Sequence, residues 1–180
     1  MKMTGANIEA LISDMNEALQ AFTAPIERDP AVWERGLPRR WTIGQHADHV
    51  AAGLRATAAS LAAGEILLRE GTLPQRPGRG PLQMLWISVA VGAGRFPRGG
   101  RAPRIIRPSD HPVRDRVLAA IRDGAERHVS LARRFAPADM DRLWIPNPFL
   151  PRWHYALPEV IRIQAVHARH HAKLVGEILA

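Results

Sequence analysis

Cysteine is absent from this 180-residue chain. That excludes a disulfide framework, a thiolate metal site and a cysteine nucleophile. Any metal would have to sit on histidine or on carboxylates. Lysine is almost absent as well: Lys2 and Lys173 are the only two, and every other cation is arginine. Acidic residues are missing from one long stretch, residues 71–109. Long apolar runs are missing too, since the most apolar segment, Leu82 to Ala93, falls short of the roughly 18 residues that a spanning helix needs. The N-terminal MKMTGANIEALISDMNEAL is interrupted by Glu9, Asp14 and Glu17, so it lacks the apolar core of a signal peptide. These absences together predict a soluble, cytoplasmic protein with no membrane partner.

Apolar residues make up 46% of the chain, too much for intrinsic disorder. The length suits one domain over residues 1–180 and is short for two. The formal charge is +8, but it is unevenly spread. Within 71–109 lie Arg76, Arg79, Arg95, Arg98, Arg101, Arg104 and Arg107 among many Pro and Gly residues, so that segment reads as loop and the rest of the chain is nearly neutral.

Outside that segment helical periodicity dominates. Ile8, Leu11, Ile12, Met15, Leu19 and Phe22 recur every three to four residues, followed by a loop punctuated by Pro25, Pro30 and Pro38. A second helix starts near Thr42, an N-cap residue type, and carries Ile43, Ala47, Val50, Leu54, Ala58 and Leu61. Pro81 suits the first turn of a third helix through Leu82, Leu85, Trp86 and Val89. That helix is apolar nearly all round, which predicts either a central position or burial against a partner chain, the latter as a homodimer. A fourth begins after Asp110 or Pro112 and repeats Val113, Val117, Ile121, Gly124, His128, Leu131 and Phe135. The loop LWIPNPFLPRWHYALPE then leads to a last helix from about Pro158 to the C-terminus. No stretch alternates at period two for long, so the expectation is an all-α bundle without strands.

Five of the eight histidines fall in two short windows, His46 and His49 in GQHADHV and His167, His170 and His171 in VHARHHAKL. Spacings of three and four residues place imidazoles on one helix face about a turn apart, as a metal site requires. In the last helix, Val160, Ile163, Leu174 and Ile178 define the inward stripe. His167 and His171 fall in its middle, and His170 lies towards its edge. Two neutral imidazoles buried side by side each need a partner, and a shared metal supplies both at once. In the second helix His46 sits nearer the inward stripe than His49, but alanines on the opposite side leave the third ligand open. His128, alone on an apolar stripe, reads as a core residue before a ligand. His111 and His154 are assigned no role.

Trp41-Thr42-Ile43-Gly44-Gln45-His46-Ala47-Asp48-His49-Val50 resembles the W-[ST]-x-x-[EQ]-x-x-x-H-[LIV] start of the second helix in DinB-like proteins, the DinB/YfiT-like superfamily. His167-Ala-Arg-His170-His171 is similar to their H-x-x-H-H element, Asn147-Pro148-Phe149 to their N/H-P-F stretch, and Ala102-Pro103 with Pro108 to a proline-marked link into the fourth helix. The resemblance implies an up-down-down-up four-helix bundle, here with a short additional helix and long loops. It also implies a divalent metal held by three histidines, which map onto His49, His167 and His171. Leu174 stands where relatives often have Gln, a departure that bears on a supporting polar contact and not on the ligands.

Three neutral imidazoles leave a metal at least one open position, and they suit Zn, Ni, Cu or Fe alike. Such a centre can acidify water, polarise a carbonyl or bind a thiolate; with no cysteine in the chain, any thiol arrives with a cosubstrate. The leading expectation is a metal-dependent transferase with a low-molecular-weight thiol, or a hydrolase, acting on a small molecule that the arginine segment would attract if anionic. A non-catalytic, metal-stabilised or stress-related binding protein is the alternative. Asp48, Glu159 and Glu177 read as helix-end or surface charges, and Trp41, Trp86 and Trp153 as bundle core before pocket lining. Arg95, Arg98, Arg101, Arg104 and Arg107 would align along one face of an extended polyproline II run. A solvated loop is preferred there over nucleic-acid binding, because Phe96 is the only interleaved aromatic.

Overall fold

A computed structural model describes residues 5–72, 78–94, 96, 102–135, 139, 143–150 and 152–180. Four long helices carry it: α1 (Gly5–Arg28), α2 (Ile43–Arg69), α4 (Arg114–Arg134) and α5 (Leu157–Leu179). Between α2 and α4 lies α3 (Pro81–Trp86), which continues as a π-helical turn, Ile87–Gly92. Short 3-10 turns occupy Pro30–Val32 and Arg104–Ile106.

Cross-helix contacts fix the directions. Glu27 reaches Arg122 and Glu9 reaches Arg133, so α1 and α4 run antiparallel. Gly124 lies under Leu54, and Thr57 meets His128, so α2 and α4 run parallel. Asp14 pairs with Arg169, and Phe22 meets His171 edge-on, placing α5 parallel to α1. The result is an up-down-down-up bundle, as expected. Met15, Phe22, Ile26, Ile43, Leu54, Leu61, Leu157 and Ile161 are fully buried in its centre. Truncating one such side chain to Ala costs about 2–5 kcal/mol.

The start of α2 explains why Trp41-Thr42-x-x-Gln45 recurs as a motif. Thr42 Oγ1 accepts from Gln45 N at 3.2 Å, and Gln45 Oε1 accepts from Thr42 N at 3.0 Å, a reciprocal cap. This fixes where the helix begins, and hence which turn carries His46 and His49. By length and composition α2 is long and apolar enough to cross a membrane, but half of its most apolar window is buried inside the protein. Both α4 and α5 pack against it.

Four expectations need correction. Pro25 does not start the loop; it lies inside the last turn of α1. Only one intrahelical bond is lost there, and buried Ile26 together with Asp29 N donating to Pro25 O keeps that turn in place. Strands are present: β1 (Trp144–Pro146) pairs antiparallel with β2 (His154–Ala156). Three residues per strand are too few to produce a readable alternation. Asn147 organises the turn between them, its Oδ1 accepting from Phe149 N and Leu150 N and its Nδ2 donating to Tyr155 Oη. That accounts for the N-P-F stretch.

The third correction concerns α3. It is not central: Leu82, Leu85 and Val89 are exposed, while Gln83 is buried and donates to His154 O at 2.6 Å. The fourth concerns the extended arginine run, since Arg104 stands in a 3-10 turn; Arg79, ahead of that run, is mostly buried. Its guanidinium makes a two-pronged pair with Glu159 at 2.6 and 2.9 Å and stacks over Trp144. Arg104 and Arg107 are exposed, with Arg104–Ile106 in a 3-10 turn and not an extended run. Arg76, Arg95, Arg98 and Arg101 lie outside the described residues, and with them most of the proposed arginine stripe.

Candidate metal centre

The two histidine windows meet where the first turns of α2 pack against the middle of α5. His167 Nε2 lies 3.0 Å from His49 Nε2 and 3.1 Å from His171 Nε2. The three side chains form the group that could hold a metal ion among the described residues, each offering one ligand atom within 4.8 Å of the others. The rings meet nearly edge to face, with centroids 4.7–4.9 Å apart. Glycine makes the approach possible: a Cβ on Gly53, one turn after His49, would stand 3.3 Å from His167 Cε1.

The protonation chemistry fits the same purpose. Burial pushes His167 down to about 3 and His46 down to about 4, and it holds His171 well below the ordinary value of 6.5. His49 is lowered by burial too, although the carbonyl it bonds works the other way. All four are therefore neutral at pH 7, the form that coordinates. His49 Nδ1 donates to the Ile106 carbonyl at 2.7 Å, which fixes its tautomer and leaves the Nε2 lone pair facing the other two rings. With His167 Nε2 about 3 Å from both His49 Nε2 and His171 Nε2, at most one of the two contacts can receive a well-aimed hydrogen. A tetrahedral ion with bonds of about 2.0–2.1 Å would separate such nitrogens by about 3.3 Å, a small outward shift. The donor set therefore fits a divalent ion.

His46, the residue that the helical wheel placed further inward, does not face the convergence point. Its Nδ1 lies 2.9 Å from His171 Nδ1, behind that ring. His128 is a core residue. It is fully buried, donates through Nδ1 to Gly124 O at 2.7 Å, and places Nε2 3.0 Å from Thr57 Oγ1. Burial lowers it to about 4. His170 is partly buried beside His171 and against Phe96, outside the ligand group.

Among the described residues no carboxylate joins the three histidines as a ligand group. Asp48 accepts from Ser109 N at 2.7 Å and Ser109 Oγ at 2.9 Å, which ties the loop carrying Ile106 to α2. Glu159 accepts from Ala156 N at the start of α5 and holds Arg79. Trp41, Trp86 and Trp153 lie at the margin of the core, with Trp86 packed against it. All three are only partly buried: Trp41 packs on His46 and His49, while Trp153, Trp86 and Phe96 form a chain of ring contacts ending on His167. Sequence reasoning passed over Gly53, the Ile106 carbonyl and Phe96. Only Gly53 carried a signal, a small residue one turn from a histidine on a buried helix.

A helical bundle with three histidines converging from two helices defines a class of candidate metalloproteins. A family model described as the DinB superfamily matches residues 2–175, so this chain belongs to the DinB superfamily. No curated protein and no solved structure matches it.

Proposed function

We propose that the protein is a metalloprotein whose His49, His167 and His171 hold one divalent ion, and that it catalyses metal-assisted transfer or hydrolysis on a small molecule. The observation carrying this reading is the approach of His167 Nε2 to His49 Nε2 and His171 Nε2, at 3.0 and 3.1 Å, in a group of three neutral imidazoles. The bound ion would polarise a carbonyl or lower the pKa of a water or thiol at its open position. Zn, Ni and Fe all suit three imidazoles. The protein's own part is to keep the ligands neutral by burial, to fix His49 through Ile106, and to flank the centre with Trp41 and Phe96. With no cysteine in the chain, a thiol nucleophile would be a low-molecular-weight cosubstrate. Elemental analysis of protein purified without chelator is expected to find about one equivalent of metal per chain. Absence of metal, with no rise in melting temperature on adding Zn²⁺ or Ni²⁺, would sink the proposal.

One observation favours a second reading, a metal-stabilised binding protein without turnover. Asp48 and Glu159, two candidate general bases, are both committed to other hydrogen bonds. A substrate screen on metal-loaded protein separates the two readings. Turnover that a hydroxamate-type chelating inhibitor abolishes supports the enzyme; ligand binding without turnover supports the alternative.

A further inference from the structure

We propose that His46 is a positioning residue that holds His171 in the one tautomer able to coordinate the ion. The inference rests on the metal reading above and concerns a residue outside the ligand group. His46 and His171 meet through like atoms, Nδ1 to Nδ1 at 2.9 Å, with ring centroids 5.1 Å apart. One hydrogen can occupy that contact, and it belongs to one ring or the other.

The two assignments have opposite consequences. If His46 carries the hydrogen on Nδ1, a neutral His171 must carry its own on Nε2. That hydrogen then points towards His167 Nε2, 3.1 Å away, and occupies the space an ion would need. If His171 carries the hydrogen on Nδ1, it donates to His46, and its Nε2 lone pair turns to the convergence point. Only the second assignment admits a metal. It requires His46 to be the Nε2–H tautomer, with Nδ1 as acceptor.

The placement of His46 keeps this acceptor within reach of His171. His46 lies one turn before His49 on α2 and is 7% exposed, with Trp41 edge-on at 5.5 Å. The ring is held behind His171 and has little freedom to swing away. His49 and His171 are thus oriented by one device with different acceptors, a main-chain carbonyl in the first case and an imidazole in the second. An outer acceptor of this type fixes ring orientation and tautomer, and losing one typically weakens metal binding about 10–100-fold. Both acceptors are uncharged, so neither offsets the ion's positive charge.

The first test uses wild-type protein. Long-range ¹H–¹⁵N NMR of the Zn²⁺-loaded, ¹⁵N-labelled chain is expected to show His171 protonated at Nδ1 and bound through Nε2, with His46 protonated at Nε2. Coordination of His171 through Nδ1, or a hydrogen on His46 Nδ1, would overturn the proposal. The second test measures Zn²⁺ affinity by competition with a chromophoric chelator. His46→Leu removes the acceptor and is expected to weaken binding about 10–100-fold, while His46→Gln, which keeps one, stays within a few-fold of wild type. Equal affinity in wild type and His46→Leu overturns the role of His46 and leaves the metal reading standing. A wild-type chain that binds no Zn²⁺ instead sinks the metal reading, and this one with it. Circular dichroism of each metal-free variant checks folding, and the wild-type NMR result decides the question if His46→Leu does not fold.

Discussion

Two buried histidine environments flank α2, one towards α4 and one towards α5, and they differ in one respect. On the α4 side, His128 finds both its partners within the protein, Gly124 O and Thr57 Oγ1. On the α5 side, His49, His167 and His171 spend their outer nitrogens on one another. Burial keeps both sets neutral, so burial does not distinguish a ligand from a core residue. The distinction lies in where the second nitrogen goes. When the fold satisfies it, the histidine is structural; when several aim their lone pairs at one point, the fold has left a place for a cation.

The largest effect should come from removing a member of the α5 group. His167→Ala or His171→Ala is expected to weaken Zn²⁺ binding by roughly 100-fold or more, beyond the effect of losing an outer contact. His128→Leu should leave that affinity within about threefold of wild type. Isothermal titration across the three variants would break the comparison if His128→Leu lost the metal as well.

Acid should affect both regions in the same direction, with a magnitude readable for His128. Its folded value is about 4 against an ordinary 6.5, so between those limits the unfolded chain binds a proton that the folded chain refuses. The stability due to its neutrality is complete above pH 6.5 and is lost as pH falls towards 4, a change of about 3 kcal/mol for this one group. Urea unfolding of chelator-treated protein should therefore give midpoints that fall from pH 7.5 to pH 5. His128→Leu should be less stable than wild type at pH 7.5 and close that gap at pH 5. A gap that stays constant would mean that His128 is not held neutral by burial.

The smallest expected change tests the space beside His167. Gly53→Ala should favour the helix by up to about 1 kcal/mol. Its new Cβ, however, would press on His167 Cε1 at 3.3 Å and displace the ring by a few tenths of an ångström. Zn²⁺ affinity is expected to fall a few-fold while the metal-free melting temperature holds or rises. Unchanged affinity would show that the ring has room to give.

Much of this arrangement was legible in the sequence. The period of α5 put His167 and His171 on its inward stripe, and Thr42 marked the start of α2. The wheel could not separate His46 from His49, because α2 is buried on several faces and both residues are inside, at 7% and 6% exposure. The family pattern supplied His49. What turns His49 Nε2 towards the other two rings is a main-chain carbonyl 57 residues away, which leaves no trace in side-chain identities. Of the two positions expected for α3, the exposed Leu82 and Leu85 exclude the central one. A six-residue helix ending in a π turn is steered by one buried hydrogen bond, from Gln83 to the His154 carbonyl, more than by its leucines. The hairpin was missed because its order comes from Asn147 and Tyr155, not from strand periodicity.

The carbonyl that orients His49 has a consequence for how this chain can vary. Because the acceptor is main chain, no exchange of side chain at position 106 deletes it. A change of loop length can, since adding or removing one residue between Ile106 and Ser109 would carry the carbonyl away while Asp48 kept its hold on Ser109. At this point the chain should tolerate substitution far better than insertion or deletion.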